Sequence, residues 1–326
     1  MTIIDFHNHY FPPAYLAALT RGDTAVDVWT DPAGNPVLGY PGDYNVCVPG
    51  HRDIAYRQDV LDAEGVDRQV LTFTTPGTHV EEPRTAVALA RLVNDAFATV
   101  VRARGDRFSA LGTLPLNDAG ASVEEFDRVT GDLGLPGAAL FSNVGGLPLA
   151  DPRFEPLYAM AHARGAILFI HPTHPLDVAA MTEYWLMPLV GFLMDTTLAA
   201  AHLVFAGVPE RYPDIRWVLG HLGGAIPYLA ERLDRGYEAF AECRARIPEP
   251  PSTYLRRFFY DTVNFDPKAL RLAVDFAGAG RILAGSDYPH MIGSIPQMKA
   301  AIHALDVSVE ERAQILGGNA AALLGL

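Results

Sequence analysis

Short apolar runs recur from one end of the chain to the other, and longer stretches with apolar residues at helical spacing separate them. The runs predict strands over Thr2–Phe6, Gln69–Phe73, Phe108–Thr113, Gly137–Phe141, Ala166–Ile170, Ile215–Leu219, Phe258–Asp261 and Arg281–Ala284. Several are apolar throughout, as expected of parallel strands covered on both faces. The intervening spacing predicts helices over Asp53–Ala63, Arg84–Arg104, Val123–Leu133, Arg153–Arg164, Met187–Ala206, Ile226–Cys243, Pro267–Phe276 and Ile295–Ala304. A last helix, Ser308–Leu324, opens on a capping-box pattern, Ser308-Val309-Glu310-Glu311.

Strand and helix in alternation argue for βα units around a parallel sheet. Eight strands are the number that closes a TIM (β/α)8 barrel, and 326 residues suit one such domain spanning 1–326. The rival, an open doubly wound sheet, loses support because no Gly-rich turn follows the first strand. Tyr10–Pro49 fits neither period. Rich in Pro, Gly and Asp, it reads as a segment inserted after strand 1, over the strands' C-terminal ends, where it serves as lid or pocket wall or is a solvated loop.

Composition narrows the partners. With 25 Lys plus Arg against 38 Asp plus Glu the net charge is −13, which repels nucleic acid and anionic membrane surfaces. Cys47 and Cys243, the two cysteines, make neither a disulfide framework nor a zinc spacing. No basic and apolar leader pattern precedes Asp5, so a cytoplasmic location is expected. The apolar stretch from Leu186 to Ala206 is interrupted by Asp195 and His202, and reads as a buried or interface helix.

Chemistry concentrates at predicted strand ends. His7 and His9 alternate on one strand and so share a face. His171 follows Ala166–Ile170, His221 follows Ile215–Leu219, and Asp287 closes Leu283-Ala284-Gly285-Ser286-Asp287. A barrel keeps its chemistry at exactly these C-terminal ends, and imidazoles with one carboxylate suit zinc or a neighbouring divalent ion such as manganese. His174 and His290 lie close to these residues and either line the pocket or are plain loop histidines.

A longer set of motifs carries a resemblance. His7-Asn8-His9 with Phe11-Pro12, Asp62-Ala63-Glu64-Gly65-Val66-Asp67, His171-Pro172, Trp185-Leu186-Met187-Pro188, Gly220-His221-Leu222-Gly223-Gly224, Phe258-Phe259-Tyr260-Asp261 and Gly285-Ser286-Asp287-Tyr288-Pro289 span nearly the whole chain. Together they resemble the amidohydrolase superfamily, in its branch of non-oxidative decarboxylases typified by α-amino-β-carboxymuconate-ε-semialdehyde decarboxylase. The resemblance implies that His7, His9, His171 and Asp287 bind one metal ion, zinc first, and that His221 is catalytic without being a ligand. It implies further that Arg57, Arg232 and Trp185 bind a small carboxylate substrate, with Arg232 reaching across from the other subunit of a homodimer. A lysine-bridged pair of metals is excluded by inventory: Gly137–Phe141 holds no Lys, and Lys268 and Lys299 fall on predicted helices.

The ligand set by itself leaves two reactions open. One is hydrolysis of a lactone, amide or other C–O or C–N bond, and the other is release of CO₂ from an aromatic or muconate-type acid. Paired arginines favour the second, since guanidinium binds carboxylate in bidentate fashion. Tyr10–Pro49 and Thr173–Thr182 depart from the typical family member and leave the exact substrate open.

Overall fold

A computed structural model describes residues 2–22, 24–40, 43–175 and 177–326. Asp23, Pro41 and Gly42 of the inserted segment and Leu176 of the 173–182 stretch lie outside the described residues.

The barrel strands are β1 (Ile4–His9), β2 (Arg68–Thr72), β3 (Phe108–Ala110, resuming as Gly112–Thr113), β4 (Gly137–Phe141), β5 (Ile167–His171), β6 (Arg216–Leu219), β7 (Phe259–Asp261) and β8 (Ile282–Leu283). Neighbours run parallel in chain order, β1 to β3 in one ladder and β3 to β8 in the next. β3 belongs to both ladders, its two halves parted at Leu111, whose N–H donates to Leu71 O. Backbone bonds join β8 to β1: Phe6 N donates to Ala284 O (2.7 Å), Asp287 N to His7 O (2.8 Å) and His9 N to Tyr288 O (2.8 Å). The chain is a TIM barrel.

Helices α1 (Ile54–Glu64), α2 (Pro83–Ala103), α3 (Ala119–Thr130), α4 (Glu155–Ala163), α5 (Phe192–Phe205), α6 (Ile226–Ala239), α7 (Pro267–Ala277) and α8 (Ile295–His303) follow the strands in turn. Their starts obey local chemistry: Asp53 caps α1 by accepting from Ala55 N and Tyr56 N, and Ser294 caps α8. A π-helical turn, Met187–Gly191, leads straight into α5. This continuous helix, Met187–Phe205, is long and apolar enough by composition to cross a membrane. It buries Phe192, Ala199, Ala200 and Leu203 while leaving Leu189, Val190, Met194 and Leu198 exposed.

Two apolar layers form. The larger packs the outer faces of the strands against the helices. The smaller fills the barrel interior with Ile4, Phe6, Val70, Leu111, Ile167, Phe169, Val218 and Leu283, and Ala320 and Leu323 of the terminal helix Asn319–Leu324 pack into it. The predicted capping box at Ser308 and Glu311 is formed, but it starts a short helix, Val309–Ala313, that passes through a π turn before Asn319.

The inserted segment is more regular than its composition suggests. It holds a helix, Pro13–Leu19, and an antiparallel meander of Asp27–Thr30, Pro36–Tyr40 and Asp43–Val46. These strands are four or five residues long and mix polar with apolar residues, too short and mixed for periodicity to register.

Candidate active site

β1 carries one residue more than β2 between Asp5 and Asn8, a β-bulge. The bulge matters for which side chains face inward. Ile4 and Phe6 lie in the interior cluster, and after the extra residue His7 and His9 face inward too. Simple alternation pairs His7 with His9 correctly, yet it cannot put Phe6 on the same side.

His7, His9, His171 and Asp287, all buried, bring one ligand atom each to within 4.8 Å of one another. The Nδ1 partners settle the tautomers. His7 Nδ1 faces the Asp261 carboxylate, and His171 Nδ1 faces Pro172 O at 2.7 Å; both acceptors require the ring to donate. His9 Nδ1 lies 3.2 Å from Thr72 Oγ1, whose own hydrogen goes to Asn8 O, so this ring donates as well. Each neutral ring then turns an unprotonated Nε2 toward the centre.

Those Nε2 atoms cannot satisfy one another. His7 Nε2 and His9 Nε2 stand 3.1 Å apart, His9 Nε2 and Asp287 Oδ1 3.0 Å, and His7 Nε2 and Asp287 Oδ1 3.5 Å. His171 Nε2 is buried with no hydrogen-bond partner. Three lone pairs and a carboxylate converging without a proton to share are unfavourable unless a cation joins them. Donor atoms about 2.0–2.1 Å from a tetrahedral ion sit roughly 3.3 Å apart, and the observed separations bracket that spacing. The residues fit a divalent metal.

Electrostatics agree for two of the three rings. Burial pulls the His9 and His171 pKa values well below the usual histidine range, which keeps both rings neutral. Burial acts on His7 too, but the Asp261 carboxylate outweighs it and raises that pKa. Burial would raise Asp287; the neighbouring His221 and His9 more than offset it and hold the carboxyl well below its ordinary value.

His221 stands beside this set without joining it. Its Nε2 is 3.9 Å from Asp287 Oδ2, beyond hydrogen-bond reach, and its Nδ1 is buried without a partner. The backbone at His221 (φ 52), Leu222 (φ 57) and Asp287 (φ 57) adopts left-handed conformations costly for such residues. Asp261 holds the first two: its carboxylate accepts from His221 N (2.9 Å), Leu222 N (2.8 Å) and Val263 N (2.9 Å). One carboxylate thus orients a candidate ligand and the backbone of the adjacent His221. Asp261 does not stand out in the sequence reading, although it closes the predicted strand Phe258–Asp261.

The set opens into a cavity of about 970 Å³. Its walls include Tyr44, Asn45 and Val46 from the inserted meander, Trp185 and Leu189 ahead of α5, and His51, His290 and Met291. Trp185 (φ 58) meets Tyr44 edge-on at 5.2 Å between centroids. Residues of the 10–50 insertion are therefore pocket wall. His290 lines the cavity; His174 is absent from its described lining.

Arg57 is a correction. It is fully buried, and all five of its N–H groups donate within the protein: Nε and one terminal nitrogen to Gly50 O, the others to Asn8 Oδ1 (2.7 Å), Gln69 Oε1 (2.8 Å) and His9 O. It clamps β1 to β2 and has no donor left for a substrate carboxylate. Arg232 is exposed on α6 and does not line the cavity of its own chain. Among the described lining residues there is no Lys or Arg.

The amidohydrolase family model matches residues 4–326. The chain is 34% identical to 2-amino-3-carboxymuconate-6-semialdehyde decarboxylase of Dictyostelium discoideum over 82% of its length and 75% of the relative. It is 30% identical to 6-methylsalicylic acid decarboxylase of Penicillium expansum, over 89% and 86% respectively. The solved structure of 5-carboxyvanillate decarboxylase from Sphingomonas paucimobilis superposes with a TM-score of 0.86 at 28% identity, covering 100% of this chain and 99% of that one. Motif, fold and ligand geometry lead to one conclusion: this chain belongs to the amidohydrolase family.

Proposed function

We propose that the chain is a divalent-metal-dependent, non-oxidative decarboxylase of a small aromatic or muconate-type carboxylic acid, a carboxy-lyase. The observation that carries the metal is the convergence of three unprotonated Nε2 atoms and the Asp287 carboxylate on the cavity floor. The choice of reaction rests on relatives that are themselves decarboxylases.

When bound, the ion polarises substrate oxygens and neutralises developing charge. The protein supplies the rest. The carbon that loses CO₂ must gain a proton, and His221 Nε2, next to Asp287, is placed to hold and pass one. Trp185, Leu189 and Phe192 give the cavity an apolar wall against which a ring can lie. Zinc is the ion we favour for a three-histidine, one-carboxylate set, with manganese next.

We also favour a homodimer. The exposed apolar row Leu189, Val190, Met194 and Leu198 runs along the helix beside the cavity, and a cavity whose described lining holds no Lys or Arg leaves room for a partner's Arg232. The decisive experiment incubates metal-loaded protein with hydroxybenzoates and muconate-type acids, following CO₂, with lactones and amides alongside. CO₂ release from an acid is expected. Hydrolysis of a lactone or amide with no CO₂ from any acid would overturn the proposal.

A further inference from the structure

Asp195 interrupts the apolar helix α5, and its side chain is buried there. A carboxylate taken out of water is costly unless donors surround it. Two donors reach one of its oxygens. Ser142 Oγ donates to Asp195 Oδ2, and Asn143 Nδ2 donates to the same oxygen at 2.8 Å. Both partners directly follow β4, beside the loop that leaves β5.

That loop begins at His171, and the two partners hold it at three backbone atoms. Ser142 N donates to His171 O (2.9 Å), Thr173 N donates to Ser142 Oγ (3.0 Å), and Asn143 Nδ2 also donates to His174 O (3.1 Å). The Asn143 amide is fixed in turn, because its Oδ1 accepts from Gly146 N at 2.9 Å. The hydroxyl hydrogen of Ser142 points at Asp195, which leaves a lone pair facing Thr173 N.

The contact at Thr173 reaches the His171 ring. Thr173 N and Pro172 O belong to one planar peptide, in which the N–H and the C=O point opposite ways. Fixing the N–H on Ser142 therefore fixes the carbonyl, and that carbonyl accepts from His171 Nδ1 at 2.7 Å. With the peptide turned away, Nδ1 loses its acceptor and the ring is free to carry its proton on Nε2. A protonated Nε2 has no lone pair to offer a cation.

Resting on the metal reading of this site, we propose that Asp195 and Ser142 are positioning residues. They set the tautomer and aim of His171 through the Pro172–Thr173 peptide, and α5 is the fixed end of the relay. The relay needs an acceptor oxygen on α5 and no charge, since both donors share Oδ2. Asparagine supplies such an oxygen and alanine does not.

Competition with a chelating indicator measures the Zn²⁺ affinity of the full chain, and the visible spectrum of the Co²⁺-loaded protein reports ligand geometry. Ser142→Ala and Asp195→Ala are expected to bind Zn²⁺ ~10-fold or more weakly, the lower end for an outer-shell partner of a metal ligand. At saturating Co²⁺ both spectra should differ from that of the wild type. Asp195→Asn should stay within about threefold of wild type in affinity, less than one typical hydrogen bond is worth, and should keep its spectrum. A brace that only stabilises the fold would lower the unfolding midpoint and leave both metal readouts unchanged, a result that would overturn the proposal. So would Asp195→Asn behaving like Asp195→Ala, which would assign the effect to charge. Ser142→Ala removes a single buried hydroxyl and carries the test if Asp195→Ala does not fold. A wild type that binds neither Zn²⁺ nor Co²⁺ would remove the metal reading and this inference together. Variants that match a tightly binding wild type would remove this inference alone. Neither readout depends on CO₂ release.

Discussion

Each histidine at the metal set is fixed by what its Nδ1 meets, and that contact decides which nitrogen is free for a cation. His171→Ala removes one of four donors and is expected to cost most of the bound metal, measured by elemental analysis after dialysis. His221→Ala should keep the metal and lose turnover by ~10²-fold or more, as expected of a proton carrier that is not a ligand. Metal loss in His221→Ala, with activity restored on reloading, would reverse those roles. Asp261→Ala removes the acceptor of His7 Nδ1 and the brace of the His221 backbone at once. Metal affinity should fall about 10–100-fold, the usual cost of an outer-shell partner, and activity should stay low even at saturating metal. Away from the site, His79 is buried against Phe141 and its pKa is pulled down to about 4 by desolvation. The unfolded chain takes up a proton near the ordinary 6.5 and the folded chain does not, so the stability this histidine allows is complete above pH 6.5 and drains away as pH falls to 4. The loss reaches about 3 kcal/mol, and His79→Phe should flatten that limb of the stability–pH curve measured by denaturant unfolding.

At the scale of elements, strand ends present the chemistry and other elements hold those ends in place. The bulge in β1 turns His7 and His9 inward after Phe6, and the Arg57 clamp ties β1 to β2 just behind them. The far end of the barrel is sealed differently, by the terminal helix whose Leu323 enters the interior cluster with Ile4, Phe6 and Leu283. Leu323→Ala leaves a hole there and should cost roughly 2–5 kcal/mol in denaturant unfolding. Metal affinity should hold, because the ligands sit at the opposite ends of the strands. A large drop in metal affinity with little loss of stability would show that the helix acts on the site and not on the core.

At the scale of the molecule, we favour a site built from two chains. The exposed apolar row on Met187–Phe205 and the exposed Arg232 on α6 support two. Mixing Arg232→Ala chains with His221→Ala chains should then recover part of the activity, since one hybrid site keeps its own His221 and receives an intact Arg232 from the other chain. No recovery, or an active monomer in sedimentation, would end the shared-site reading. Leu198→Glu, on the exposed row, should give less dimer and less activity together.

The order of strands and helices, the barrel and the residues at the strand ends were legible in the chain because each depends on local periodicity. Apolar runs, helical spacing and a His or Asp directly after a run are properties of a few consecutive residues. The alternation of His7 and His9 is of that kind, and so is the capping box at Ser308. What depends on distant partners was not legible. Arg57 reads as a surface or substrate arginine until Gly50, Asn8, Gln69 and His9 surround it and take all its donors. The tautomers of His7, His9 and His171 depend on Asp261, Thr72 and Pro172, drawn mostly from other strands. The short mixed strands of the inserted meander gain their order from pairing with one another, a contact no sequence window contains. His51, on the short helix Pro49–Arg52, has both its nitrogens enclosed only by packing, because burial and hydrogen-bond satisfaction are set by the whole fold and not by the neighbouring residues.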